Sequence, residues 1–390
     1  MGDAMREIDR RFELGGSGIR VDHRAVSDVD DEALLLAAIT ANAAPDVVMV
    51  HSGAELRSFE DHFIPLDDYL EPYRGILSAA AIDACRGTDG TVRAVPLTVQ
   101  GFGWYYDKRL FSAAGLDPEA PPGDWAAFLA ACAACERAGI RPILWGNNPA
   151  HGSDWLRRAL AAVYFSPEEI RSLFTAPGLL SDGRFERIAS IIRDLRDRGY
   201  LDSRGAYRDH IRDAAASFKA GEGAMYLGLW SDIDNWKDFS DALGADNIGF
   251  FRVPAPRDAP YPGRSCVQGA GIAYAVSASS SLKEEAIRYA LSYVDEAASA
   301  LLLERVGALL PRVDVRYPVE RYPALASVLE AANGKAENTA DDIELHYPDL
   351  RIKAALFRYD SLFFNTRELD LRHYLAAVER SVAETLKQKP

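Results

Sequence analysis

Apolar and polar positions along the chain switch repeatedly between a helical and a strand period. Residues 3–13 read as a helix, and residues 28–42 (DVDDEALLLAAITAN) as another that opens on acidic side chains, where the helix dipole favours them. Residues 46–50 (DVVMV) form a continuous apolar run, the pattern of a strand buried on both faces. Further strands are predicted at 19–26, 91–95, 102–106, 143–145, 224–229, 248–251 and 271–276, with helical patterns between most of them. After about Lys283 the pattern becomes almost wholly helical. The order predicts α/β layering without a short-period repeat.

The segment 218–230, FKAGEGAMYLGLW, followed by SDIDNW, carries the most local information. Gly221 and Gly223 turn the chain after a helix and residues 224–229 form a short strand. Trp230 then lies where that strand passes into a helix expected near Ser231 or Asp232. Such strand-to-helix corners gather ligands in open α/β sheets. Two segments mark chain crossings between lobes: the aromatic strand at 101–111 and the proline-rich VPAPRDAPYPG at 253–263.

Length, charge and cysteine usage narrow the picture. At 390 residues the chain exceeds the ~250 to 300 at which a single core stops growing, so two lobes are expected. A formal charge of -14 disfavours a phosphate backbone, and no nucleic-acid partner is expected. No window is long and apolar enough to span a bilayer, and Met1 leads directly into a polar helical pattern with no signal peptide in this chain. Cys132 and Cys135 have CxxC spacing inside an alanine-rich helix. They lack a second pair or Gly/Pro surroundings and read as small buried residues, so neither metal nor cofactor is expected.

Four segments in register carry a resemblance: GFGWYYDKRLFSAAGLDPEAPPGDW, FKAGEGAMYLGLW, GAGIAYAVSASSSLKEEAIRYALSYV and LLLERVGALLPR. From Ile19 to Arg312 the chain resembles extracellular solute-binding proteins of family 1, the sugar-binding receptors of ABC importers. The resemblance implies the two-lobed periplasmic-binding-protein fold (type II), each lobe a sheet flanked by helices, with a ligand cleft closed by hinge motion. Lobe 1 would comprise residues 1–107 and 263–309, and lobe 2 residues 108–262 and 310–390. It further implies a carbohydrate ligand bound without chemistry, delivery to permease subunits, a monomer, and a periplasmic or lipid-anchored extracytoplasmic location. Family members begin with an apolar strand before the first helix, and that first strand is missing from this sequence.

A saccharide needs aromatic faces for its C–H surfaces and polar groups for its hydroxyls. Trp230 matches the family tryptophan that ends the GxxAM strand, and with Asp232 and Trp236 it would form one wall. The alternative is that Trp230 fills the core and Asp232 caps a helix. The amide-rich loop 145–156 offers Asn147, His151 and Trp155, against a reading as turn chemistry. His51 ends the DVVMV strand, and Gln100 precedes the Gly101 and Gly103 pair. Trp104, Tyr105 and Tyr106 cannot all face one way. The resemblance assigns the tyrosines to hinge support and leaves Phe102 or Trp104 as contacts. Gln268 and Gly269 lie in a strand pattern with no helix after it, so a dinucleotide fingerprint fails. Arg312 would donate to hydroxyls or form a surface ion pair. A glycoside hydrolase using a carboxylate pair is the enzymatic alternative, though no motif nominates the pair. A receptor-like protein without a ligand is a third.

Overall fold

The computed structural model describes residues 2–24, 31–41, 43–175, 178, 180–201, 210–231, 234–334 and 336–387. Nine strands lie among them: β1 (Val47–His51), β2 (Ala94–Pro96), β3 (Gln100–Asp107), β4 (Ile143–Leu144), β5 (Met225–Leu229), β6 (Ile248–Phe251), β7 (Ser265–Gln268), β8 (Ile272–Val276) and β9 (Thr339–Asp341). The chain divides into two compact units, one of Met1–Gln100 with Gln268–Tyr317 and one of Gly101–Val267 with Pro318–Pro390. The sequence reading put these changeovers at 107/108, 262/263 and 309/310. The first two differ from this division because β3 and β7 pair in the sheet of the second unit almost from end to end.

The first unit is built on a three-stranded sheet ordered β1-β8-β2, with β8 antiparallel to both neighbours. Among the described residues β1 pairs on one side only, with Val47 opposite Val276 and His51 opposite Ile272. Its apolar run is buried on one face only, as the alternating exposure shows. Val48 and Val50 point inward, while Met49 is 40% exposed.

Tyr274 of β8 stacks on Tyr289, from the helix Lys283–Ser292, and meets edge-on Tyr293, which caps that helix's C-terminus. The hydroxyls of Tyr289 and Tyr293 each donate to the Asp9 carboxylate at 2.7 Å, and His23 is hydrogen-bonded to the same group at 2.9 Å. The first helix, Gly2–Phe12, is pinned to the unit by this cluster. Hydrogen bonds to a charged group contribute about 1.5 to 3 kcal/mol each.

The strand expected at 19–26 does not form over residues 19–24, and the rest of it lies outside the described residues. Here the backbone N–H of Val21 donates to the Glu13 carboxylate at 2.7 Å, and His23 is held by Asp9. Side-chain bonds take the place of a sheet ladder. Residues 28–30 also lie outside the described residues, and the helix there is Asp31–Thr40.

The second unit holds the larger sheet, ordered β4-β5-β3-β7-β9, with β6 also paired to β3. Its central strand β3 is buried along its whole length. The alternation expected of a strand sorts its aromatic residues onto two faces. Trp104 packs on Phe128 and Tyr106 on Phe111 and Phe251, whereas Tyr105 packs on Phe239 and Phe250. Phe128 comes from the helix Trp125–Arg137 and Phe239 from Trp236–Leu243, so helices cover both sides.

Gly101 and Gly103 alternate with these aromatics and make room for other rings. A Cβ at Gly103 would stand 2.2 Å from a Phe250 ring carbon. Cys132 and Cys135 are buried in the Trp125–Arg137 helix, as a packing role requires. The strands β7 and β9, of four and three residues, were not anticipated, being too short to show a period.

Candidate ligand-binding site

The helix His151–Tyr164 carries the chemistry of the second unit. It starts after the cis Asn148–Pro149 bond, and nearly every residue on it is buried, including the adjacent Arg157 and Arg158. Two neighbouring positions on a helix point about 100° apart, so burying both guanidinium groups requires acids on two sides. The helix itself supplies one, Asp154, and the C-terminal third of the chain supplies the rest. Arg157 pairs with Asp154 and Asp360, and Asp360 also accepts from the Tyr374 hydroxyl at 2.7 Å. Burial pushes the Asp360 carboxyl above its ordinary value against the opposing pull of Arg157.

Arg158 is held by Asp342 through Nε at 2.9 Å and Nη2 at 2.6 Å, by Asp154 at 3.1 Å and by Glu344 at 2.5 Å. Glu344 also pairs with Lys353 at 3.0 Å, where the network reaches partial exposure. Removing one partner of such a buried pair costs about 3 to 5 kcal/mol.

Beside this network lies an aromatic group. Trp155 stacks on Phe102 of β3, with ring centroids 5.5 Å apart and planes 26° apart, and the Arg158 guanidinium carbon sits 4.7 Å from the Phe102 centroid. His151, one turn before Trp155, meets it at 6.1 Å and is also in ring contact with His210 and Phe357. Burial is the main cause pushing the His151 imidazole down to about 4, with the His210 and Lys353 charges adding to it and Asp154 opposing, so it is neutral at physiological pH. Trp155 and His151 are partly exposed, while Phe102 is buried beneath. These three expected site residues are brought together: a flat apolar surface beside a neutral imidazole, next to a buried ionic network.

The other expected residues of this unit lie in the interior. Trp230 has no exposed surface; its backbone N–H donates to the Gly101 carbonyl at 3.1 Å and its ring covers that glycine. Trp104 is buried against Phe128, and Trp236 against Tyr322 at 5.0 Å. Asp232 lies outside the described residues. The helix expected near Ser231 or Asp232 begins instead at Trp236, capped by the Asn235 side chain, which accepts from the Lys237 N–H at 2.9 Å. Just before it, Asp234 adopts a left-handed φ of 49°, which a helix could not continue through. Asn147 is also buried. Its side-chain carbonyl accepts from the Ser153 N–H at 2.7 Å, and its amide donates to Asn365 at the same distance. Its amide chemistry shapes the loop and the helix start.

The first unit holds the remaining candidates. His51 is half exposed and hydrogen-bonded through Nδ1 to Glu55 at 2.8 Å. Gln100 and Gln268 are buried, and Gly269 lets the backbone approach the Ala80 carbonyl, which a Cβ would meet at 2.2 Å. Arg312 is bidentate to Asp314, at 2.9 and 2.6 Å, and donates to the Val294 carbonyl at 3.0 Å.

Arg157, Arg158, Asp342, Glu344 and Asp360 were missed by the sequence reading. One signal was available: two adjacent arginines in the otherwise apolar LRRALAAVY, which demand acidic partners that local sequence does not identify. Among the described residues no group of three or more His, Cys, Asp or Glu is placed to hold a metal ion, and no helix is long and apolar enough to cross a membrane.

An antiparallel and a mixed sheet, each flanked by helices and each assembled from discontinuous stretches of chain, define the class: this is the fold of two-lobed solute-binding proteins. The chain belongs to the bacterial extracellular solute-binding protein family, whose model matches residues 3–300. No curated protein matches the sequence. Among solved structures, the chain is similar to a chitin oligosaccharide binding protein, with TM-score 0.84 and 19% identity over 98% of this chain and 94% of that one. It is also similar to the GacH receptor of Streptomyces glaucescens, with TM-score 0.77 and 20% identity over 100% and 96%. For a Thermus thermophilus maltotriose binding protein the TM-score is 0.76, with 18% identity over 98% and 96%.

Proposed function

We propose that this protein is the saccharide-binding receptor of an ABC importer, taking up a mono- or oligosaccharide by hinge closure and passing it unchanged to permease subunits. The observation that carries the reading is the partly exposed Trp155 stacked on Phe102, with His151 one turn away. An indole face covers the apolar side of a pyranose, and an imidazole serves its hydroxyls. The named ligands of the similar structures, chitin oligosaccharide and maltotriose among them, support the same class.

A glycoside hydrolase would need two carboxylates set for acid and nucleophile or base roles. The buried acids near the aromatic group, Asp154, Asp342, Glu344 and Asp360, are instead committed to Arg157, Arg158 and Lys353. The comparisons lend that alternative no support. A monomer held outside the cytoplasm, periplasmic or lipid-anchored, completes the proposal, and the extracellular character of the family supports the location. Titration calorimetry against a panel of mono- and oligosaccharides, with product analysis of the same mixtures, tests it. One-to-one binding with intact ligand is expected; turnover, or no binding across the panel, would overturn the receptor reading.

A further inference from the structure

Arg158 stands in an unusual relation to the aromatic group. It is a buried cation with three carboxylate neighbours, Asp154 on its own helix and Asp342 and Glu344 from elsewhere in the chain, so its position is fixed in large part from outside the helix that carries it. Its guanidinium carbon lies 4.7 Å from the centroid of Phe102, which also meets the Trp155 indole. Trp155 and Arg158 are three residues apart, so one helical face presents both to the same ring. A guanidinium that is desolvated attracts an aromatic face more strongly than one in water.

We propose that Arg158 is a positioning residue for ligand binding: anchored by Asp342 and Glu344, it sets the Phe102 ring and thereby the tilt of the Trp155 face. The inference rests on the saccharide-binding reading for its ligand, while the geometry it asserts does not. Lysine at 158 would keep the charge and reach the same acids but lose the flat guanidinium over the ring. The test is therefore a cycle of R158K, F102L and the double variant, with saccharide Kd by calorimetry and the folded fraction by denaturation. R158K is expected to raise Kd of the folded protein about tenfold in the parent and less than twofold in the F102L background. An unchanged Kd, or an equal rise in both backgrounds, would overturn the proposal, since a purely structural arginine alters stability without that coupling.

A ligand-independent readout runs alongside. With 5-fluorotryptophan incorporated and the Trp155 resonance assigned through W155F, R158K is expected to shift that resonance only while Phe102 is present. If the parent binds no saccharide, the functional reading falls, and the fluorine resonance alone decides whether Arg158 sets the aromatic group. A Trp155 resonance unmoved by R158K would overturn it.

Discussion

The indole of Trp230 lies so close over Gly101 that a Cβ on residue 101 would stand 2.5 Å from two of its ring carbons and 2.6 Å from the Cys266 carbonyl oxygen. One neighbour is a rigid ring with no exposed surface and the other is backbone, so neither yields cheaply. Gly101→Ala is expected to destabilise the second unit by about 1 to 3 kcal/mol, the usual cost of overpacking. Urea denaturation followed by tryptophan fluorescence measures this; a change below about 0.5 kcal/mol would show that the strand relaxes freely.

Trp230→Ala is expected to cost about 3 to 5 kcal/mol of stability, as large-to-small changes at a fully buried aromatic do. The sequence reading gave Trp230 a ligand-stacking role, and the measurement separates the two. A core role lowers the denaturation midpoint and leaves the Kd of the remaining folded protein near the parent value.

Trp155→Ala should do the reverse. Its ring is partly exposed and stacked on Phe102, so the stability loss is expected to be small, about 1 to 2 kcal/mol. Saccharide binding is expected to weaken at least tenfold, about 1.4 kcal/mol. Calorimetry on W155A against a ligand found for the parent checks both halves.

Acidification should loosen the second unit through His151. Burial pushes this imidazole from its ordinary 6.5 down to about 4, so between those values the unfolded chain binds the proton that the folded one refuses. Its share of stability is complete above pH 6.5 and is lost as the pH falls towards 4, by at most roughly 3 kcal/mol. H151Q is expected to flatten the slope of stability against pH in that window, and an unchanged slope would exclude the mechanism.

The first helix should respond to pH in a different pattern. Burial pushes the Asp9 carboxyl up, but hydrogen bonds from His23, Tyr289 and Tyr293 outweigh it and leave it below its ordinary 3.8. The hydrogen bond to Asp9 raises His23 above 6.5. Both contributions are complete between pH 3.8 and 6.5. The histidine's share fades as the pH rises through its elevated value, and the carboxylate's as the pH falls through its depressed one. Amide exchange in Gly2–Phe12 is expected to speed up at alkaline pH more than intrinsic chemistry allows, and H23Q is expected to remove the excess.

The parts legible in the sequence were those set by local pattern. Strand β3 announced itself through alternating glycine and aromatic residues, and β6 through a short apolar run. Val47–His51 shows where pattern stops: its apolar run is the same whether one face is covered or two, and what packs on each face is a tertiary fact. Residues 19–24 had strand composition, yet Glu13 and Asp9 compete for their donors from outside the window. In the site, Trp155 and His151 are named from residue type and position, and Phe102, as one of two choices, from the family resemblance. Trp230 showed the same residue type at an equally suggestive corner, and only the space left by Gly101 places it inside. Arg158 could not be assigned, because its partners Asp342 and Glu344 lie more than 180 residues downstream.

That separation governs the order in which the molecule can be completed during synthesis. Tyr289 reaches back 280 residues to Asp9, Arg157 waits 203 residues for Asp360, and Arg158 waits 184 for Asp342. Each waiting group is a charge that stays exposed to solvent until its partner leaves the ribosome, and long-range contacts of this kind repay loop closure late. A nascent chain halted anywhere before residue 342 therefore has no finished ionic core in its second unit. Folding of that unit is thus tied to completion of its C-terminal helices and not to the appearance of its central strand.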